Sequence, residues 1–313
     1  MNMPTNYRIL ITGANGLLGQ KLVRQLIRHA DCEILATGKG RSRLPSVWSG
    51  FRYMEMDHTS PKAIGEIFRQ FQPTTVIHAG AMTQVDDCEV NQAECYKQNV
   101  EATSLILKAC QSIDAHLIFV STDFIFGGED GPYTEEATGN PVNYYGSSKL
   151  LAEKAIMNSS LSKWSIVRTV LVYGISHDMS RSNLILWVKS SLEAGKTIQV
   201  VDDQFRSPTL AEDLADGIIK IAMVKAYGIF NVSGPDRITP YQMAVLTAKY
   251  FGLDQSCIVN VPSSSLEHKG KRPLKTGLII DKAIRELDFR PKSFTEGIGI
   301  LAKQLKLAHS YKN

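Results

Sequence analysis

Apolar positions in the first half of the chain fall into short runs separated by longer stretches of helical spacing. Residues 7–12, 33–37, 74–78, 116–120 and 165–172 are apolar almost throughout, as strands covered on both faces are, and 51–56 alternates weakly. Between them, residues 17–29 place Leu18, Leu22, Val23, Leu26 and Ile27 on one helical stripe. The stretch 61–71 opens on Pro61, which suits a first turn, and 92–112 and 147–158 keep the helical period. Strands alternating with helices predict an α/β fold of Rossmann type, a doubly wound parallel sheet. After Gly174 the pattern loosens. Residues 183–193, 211–222, 241–251 and 295–307 read as helices and 228–232 as a short strand, with Pro262, Pro273 and Pro291 in irregular segments. The expected division is a Rossmann domain over 1–174, with 200–232 returning to it, and a smaller carboxyl-terminal substrate-binding domain over 175–199 and 233–313.

Sheets of this kind bind ligands beyond the carboxyl ends of their strands. After the first strand comes Thr12-Gly13-Ala14-Asn15-Gly16-Leu17-Leu18-Gly19. Gly13 permits a tight turn, Gly16 a close approach to a pyrophosphate, and Gly19 packing of the helix on the sheet, while the helix start offers free N–H groups. A dinucleotide is the expected ligand, with Asn15, Leu17 and Leu18 in the same turn. After the second strand, Thr37-Gly38-Lys39-Gly40-Arg41-Ser42-Arg43 has no carboxylate for a ribose 2′-hydroxyl and three cations for a 2′-phosphate. This favours NADPH, with Lys39 and Arg41 or Arg43 in reach, and leaves NADH as the alternative. Asp57, with His58 beside it, is expected at the adenine, and Ala79-Gly80-Ala81 where the cofactor passes the backbone. His78 reads either as a cofactor contact or as a satisfied strand-end histidine.

The fifth strand ends in Ser121-Thr122-Asp123, and Tyr145 and Lys149 follow with Y-x-x-x-K spacing. One helical turn apart, they share a face, and an ammonium near a phenol moves its ionisation toward neutrality. Thr122 is placed to donate to a carbonyl oxygen beside Tyr145.

Composition narrows the classes further. The 313 residues are 43% hydrophobic and 21% charged, which excludes a disordered chain. A net charge of +4, from 35 Lys and Arg against 31 Asp and Glu, is too small to predict nucleic-acid binding. No apolar run reaches the roughly 20 residues of a membrane helix, and the polar start lacks a signal-peptide stretch. The five cysteines, Cys32, Cys88, Cys95, Cys110 and Cys257, are odd in number and lack C-x-x-C spacing. Neither a disulfide framework nor a zinc site is expected, and reduced thiols suit a cytoplasmic protein. Cys88 and Cys95 suggest nothing redox-active, and no metal is assigned.

Taken together, Gly13 to Gly19, Ser121-Thr122-Asp123, and Tyr145 with Lys149 resemble the extended short-chain dehydrogenase/reductase superfamily. Gly131-Pro132-Tyr133-Thr134-Glu135-Glu136, Pro141 to Gly146, Val167-Arg168-Thr169 and Asp203 to Thr209 narrow the resemblance to the dTDP-4-dehydrorhamnose reductase family. The resemblance implies that NADPH delivers hydride to C4 of a nucleotide-linked 4-keto-6-deoxyhexose while Tyr145 protonates the oxygen, Lys149 holds the nicotinamide ribose and Thr122 polarises the carbonyl. It further implies that Asn99 shapes the helix beside the cofactor, that Ser121 and Thr169 line the cofactor, and that Thr83, Val85, Asp123 and Arg206 flank the sugar and its diphosphate. Val170 departs from the small polar residue common at its position. Two alternatives follow from the same likeness. One is a nucleotide-sugar epimerase or dehydratase, against which stand the missing acid at Gly38 and Phe124 after Asp123. The other is a non-catalytic NADP-binding regulatory subunit. A homodimer is an open expectation.

Overall fold

The computed structural model describes residues 7–178 and 183–310. Six parallel strands, β1 (Tyr7–Thr12), β2 (Cys32–Gly38), β3 (Arg52–Glu55), β4 (Thr75–His78), β5 (His116–Thr122) and β6 (Trp164–Thr169), are joined late in the chain by a seventh. Two short strands, β7 (Val172–Tyr173) and β9 (Thr209–Leu210), pair with each other, as do β8 (Ile198–Val201) and β11 (Ile258–Val261). The seventh strand of the main sheet is β10 (Gly228–Asn231), and the order across the sheet is β10-β6-β5-β4-β1-β2-β3. The order reverses between β1 and β4, where Thr12 stands opposite His78. That reversal opens the crevice in which such sheets bind ligands.

Helices cover both faces. On one side α1 (Leu17–Leu26) and α8 (Ala211–Val224) pack on Ile9, Ile11, Ile34 and Phe230, together with α10 (Asp281–Leu287). On the other, α2 (Pro61–Phe71), α5 (Ala102–Ile113) and α6 (Tyr144–Met157) pack on Leu10, Val76, Leu117 and Phe119. A further cluster joins α7 (Leu184–Glu193) and α9 (Pro240–Phe251) to β8 and β11 through Val188, Leu192, Val200, Ala244 and Ile258. The last helix is α11 (Phe294–Ser310), which packs Phe294, Ile298 and Leu301 against Tyr173, Leu210 and Met243. Among the described residues no helix is long and apolar enough to cross a membrane.

Local chemistry sets the ends of these elements. Ser60 accepts from the Ala63 N–H ahead of Pro61, Asn143 from the Gly146 N–H, and Thr239 with Gln242 closes a capping box at α9. Two features differ from the sequence reading. The strand expected over 165–172 stops at Thr169, because Leu171 takes a φ of +35° and turns the chain out of the sheet into β7. The helix expected over 92–112 begins as α4 (Gln92–Tyr96) and reaches α5 through a π-helical turn, Lys97–Glu101. The short helix α3 (Val85–Val90) precedes it.

The amino end of β5 carries a buried histidine. His116 Nε2 lies 2.7 Å from Ser165 Oγ, whose own proton goes to the Ala226 carbonyl at 2.5 Å. Nε2 therefore holds the ring proton, and buried Nδ1 has no partner. Burial pulls this imidazole down to about 4 from 6.5. The unfolded chain takes up the proton near its ordinary value while the folded chain resists, so stability present above pH 6.5 is lost as the pH falls toward 4. Lowering the pH from 7 to 5 should cost about 2 kcal/mol at this residue. Urea unfolding at both pH values checks it, and His116→Asn should flatten the difference; an unchanged slope in that variant would exclude His116 as its source.

Candidate active site

The two turns at the sheet reversal meet backbone to backbone. Gly13 has a φ of +70°, and a Cβ on it would stand 2.8 Å from Gly80 N and Cα. Any side chain there would push the turn after β1 off the turn after β4. Next, α1 starts behind exposed Gly16 with no side-chain cap. The first-turn N–H groups, those of Leu17 and Leu18 among them, thus lack helical partners and carry the positive end of the helix dipole. Gly19 is buried against Ala14.

Asn15 organises the neighbouring basic loop. Its Oδ1 accepts from Arg43 N (2.8 Å), and its Nδ2 donates to the Tyr53 hydroxyl (2.9 Å) and the Arg41 carbonyl (3.0 Å). Tyr53 donates in turn to the Gly40 carbonyl (2.7 Å), and the Gly40 N–H to Glu55 (3.0 Å). Lys39, Arg41 and Arg43 are exposed on this braced loop, and Lys39 stands 3.6 Å from Asp57. The Asp57 carboxylate caps its own turn by accepting from Thr59 N (2.9 Å) and Oγ1 (2.7 Å), which holds it below the usual carboxylate range.

A continuous hydrogen-bond path runs beneath these turns. Thr103 Oγ1 donates to the Asn99 carbonyl at 2.6 Å, so at the 3.2 Å contact with His78 Nε2 it accepts. His78 Nδ1 is then bare and accepts from Thr12 Oγ1 (2.7 Å), which accepts from the Gly80 N–H (3.2 Å). Complete burial drives the His78 imidazole well below its ordinary value and keeps it neutral, with both ring nitrogens hydrogen-bonded. The Asn99 side chain extends the path: Oδ1 accepts from Met82 N (2.8 Å), and Nδ2 donates to the Met82 carbonyl (3.0 Å) and Ser148 Oγ (2.9 Å). The π turn aims Asn99 at both the loop after Ala81 and α6. His58 Nε2 and Ser121 Oγ, by contrast, are buried without a hydrogen-bond partner.

At the end of β5, α6 sits directly on the following turn: a Cβ on Gly146 would stand 2.0 Å from the Phe124 carbonyl oxygen. This approach brings the Tyr145 phenol up beside the Thr122 side chain. Lys149 Nζ donates to the Val120 carbonyl (2.7 Å) and lies 3.9 Å over the Phe119 ring. Burial governs both ionisations here. It pushes the Tyr145 phenol up, although the Thr122 hydroxyl opposes it, and it pulls the Lys149 ammonium down to about 7. Asp123 is buried between the Thr122 hydroxyl (3.2 Å) and the Thr276 hydroxyl (2.5 Å), and desolvation raises it despite the Arg206 charge.

The residues expected around the substrate differ in their settings. Thr83 is exposed, and Val85 is buried beside Cys88, Cys95 and Tyr145. Arg206 is buried, with both NH groups bonded to the Phe205, Pro273 and Leu274 carbonyls, Gln204 and Thr276. It braces residues 273–276 over Asp123. Thr169 bonds to Thr209, which donates to the Val170 carbonyl. Sequence reasoning missed Tyr53, Thr103, Ser148, Thr276 and the Asp86–Arg272 pair at 2.6 Å. Of these, only Ser148 and Thr103 carried a local signal, at three residues from Tyr145 and four from Asn99.

The reversed parallel sheet, uncapped glycine turn and Thr122–Tyr145–Lys149 group define a Rossmann-type α/β protein of the short-chain reductase kind. The chain belongs to the family described as RmlD substrate binding domain, whose model matches residues 7–307. It is 30% identical to the spore coat polysaccharide biosynthesis protein SpsK of Bacillus subtilis over 93% of this chain and 95% of that protein. It is 29% identical to methionine adenosyltransferase 2 subunit beta of Bos taurus, over 82% of this chain and 75% of that one. A dTDP-4-dehydrorhamnose reductase of Bacillus anthracis, solved in complex with NADP, superposes with a TM-score of 0.81 at 25% identity, covering 96% of this chain and 100% of that one.

Removing one link of the path should expose its cost. Thr103→Val leaves the His78 Nε2–H without an acceptor and should destabilise by about 1–3 kcal/mol in urea unfolding. Thr12→Val should cost a similar amount, and the double variant less than the sum, because both partners serve one ring. Strict additivity would show that the ring does not couple them.

Proposed function

We propose that the protein reduces a nucleotide-linked 4-keto-6-deoxyhexose with NADPH. The observation that carries this reading is the packing of α6 on the turn after β5, which sets Tyr145 beside Thr122 and ties Lys149, one helical turn on, to the Val120 carbonyl, next to a glycine-turn crevice. The site fits a dinucleotide in three respects: the uncapped start of α1, the unpartnered buried His58 and Ser121 atoms, and the close-packed Gly13 and Gly80 turns. Gly13 to Gly19 would hold the diphosphate, Lys39 and Arg41 a 2′-phosphate, Asp57 and His58 the adenine side, and Ala79 to Ala81, Ser121 and Thr169 the nicotinamide side. When bound, the cofactor supplies hydride.

This chain's residues supply the proton and the orientation. Thr122 would donate to the ketone oxygen and fix it beside Tyr145. The phenol is held protonated by burial, as a proton donor must be before the reaction. As charge develops on the oxygen, the Tyr145 proton transfers to it, and Lys149 would stabilise the phenolate that remains. Asp123 would orient Thr122, with Thr83 and Val85 at the sugar. Gly38 supports NADPH over NADH: a Cβ there would stand 3.1 Å from Asn15 Nδ2 and 3.2 Å from the Tyr53 hydroxyl, leaving little room for a carboxylate.

A second reading, an NADP(H)-binding subunit of another enzyme, is favoured by the likeness to methionine adenosyltransferase 2 subunit beta. The absorbance of NADPH with purified protein and dTDP- or UDP-linked 4-ketosugars separates the two. Tyr145→Phe should lower the rate by about 10²–10⁴-fold with NADPH affinity kept. Full rate in that variant would remove Tyr145 from the chemistry, and tight NADPH binding without any turnover would favour the subunit. Replacing Lys39 and Arg41 together by Ala should weaken NADPH by about ten-fold in a fluorescence titration and leave NADH unchanged. Equal weakening of both cofactors would take the basic loop out of 2′-phosphate recognition.

A further inference from the structure

Cys88 on α3 and Cys95 on α4, inert on sequence spacing, are brought together by the fold. Their sulfurs lie 2.6 Å apart, both thiols are free, and both are fully buried. Sulfurs already in direct contact need little movement to close to a disulfide bond of about 2.0 Å. The pair shares one packed cluster with Val85 and Tyr145. Asn99 Nδ2 approaches Cys95 Sγ at 3.3 Å, and Cys95 Sγ lies 3.5 Å from Ser148 Oγ. Ser148 donates to the Tyr145 carbonyl at 2.7 Å, so the thiol pair touches the same groups that seat the start of α6.

We propose that Cys88 and Cys95 form an oxidisable thiol pair behind Tyr145, which a small hydroperoxide closes to a disulfide. The polar neighbours single out Cys95 as the attacking sulfur. The contact with Cys88, first, and the Asn99 N–H lower its thiol, whereas the same contact raises Cys88. The Cys95 thiolate attacks one peroxide oxygen, the O–O bond breaks, and Cys95 becomes a sulfenic acid as the departing hydroxide takes up a proton to become water. The Cys88 sulfur then attacks the Cys95 sulfur, the S–O bond breaks, and a second water leaves with the Cys88 proton. Two thiols lose two electrons and two protons, and one peroxide is reduced to two waters. Complete burial restricts the oxidant to one as small as hydrogen peroxide.

Linking the sulfurs ties α3 to α4 and withdraws the Cys95 thiol from Asn99, which holds Met82 and Ser148. A shift of the Tyr145 seat by a fraction of an ångström is expected to slow turnover by about ten-fold. That rate effect rests on the reductase reading; the bond itself does not.

The test treats the full-length chain, with NADPH bound, with hydrogen peroxide, unfolds it without reductant, alkylates it and weighs it. The expected result is a mass lower by about 2 Da before alkylation, a Cys88–Cys95 linked peptide, and reversal by dithiothreitol. Cys88→Ser, close to isosteric, should bind NADPH as the parent does and lose the mass change. All five thiols still alkylated, or a link through Cys32, Cys110 or Cys257 instead, overturns the pair. Linked and reduced protein turning over equally fast overturns the coupling to Tyr145 and leaves the reductase reading intact. Linked protein with no ketosugar turnover in either form upholds the thiol pair and counts against the reductase reading.

Discussion

A neutral, fully buried histidine is the constraint on which the rest of the site depends. His78 can satisfy both ring nitrogens only as the Nε2–H tautomer, accepting from Thr12 and donating to Thr103. That single protonation state links the turn after β4, the end of β1 and the π turn ahead of α5. Asn99 carries the linkage on to Met82 and Ser148, and so to the helix that bears Tyr145 and Lys149. A protonated ring would take away the Nδ1 acceptor of the Thr12 hydroxyl proton, so dehydration of the ring and geometry of the site enforce each other.

The same exclusion of water sets the proton inventory. Tyr145 and Asp123 are pushed toward their protonated forms and Lys149 is pulled toward its neutral one, all by desolvation first. The Y-x-x-x-K spacing suggests an ammonium that draws the phenol down, but in the folded chain burial governs the phenol and pushes it up. The proton is thereby kept on the phenol, and charge would form only when a ligand brings compensating groups. Arg206 illustrates the opposite case, a buried cation kept because carbonyls of three residues surround it.

Much of the fold was legible in the residue pattern. Parallel strands buried on both faces are apolar throughout and their helices repeat every 3.6 residues, so β1 to β6, α1, α2 and α5 stand close to where the periodicity places them. The glycine turn was legible because a φ of +70° and the close approach of Gly80 both favour glycine at Gly13. Less was legible where the pattern breaks. Residues 165–172 contain no breaker, and the turn at Leu171 follows from Thr209 accepting from Thr169 and donating to the Val170 carbonyl. The short elements α3, β8, β11 and α10 are too brief for a periodic signal.

By itself, then, the sequence determined the layered α/β architecture, the glycine turn, the basic loop and the Thr122, Tyr145 and Lys149 set, because each is written in local spacing or residue type. Tertiary structure alone decided that Asn99 bridges a loop to a helix, that Arg206 braces residues 273–276, and that Cys88 meets Cys95. It also decided the protonation of Lys149 and His78. These outcomes depend on which distant segments pack together and on how far they exclude water, and neither quantity is a property of any short stretch of chain.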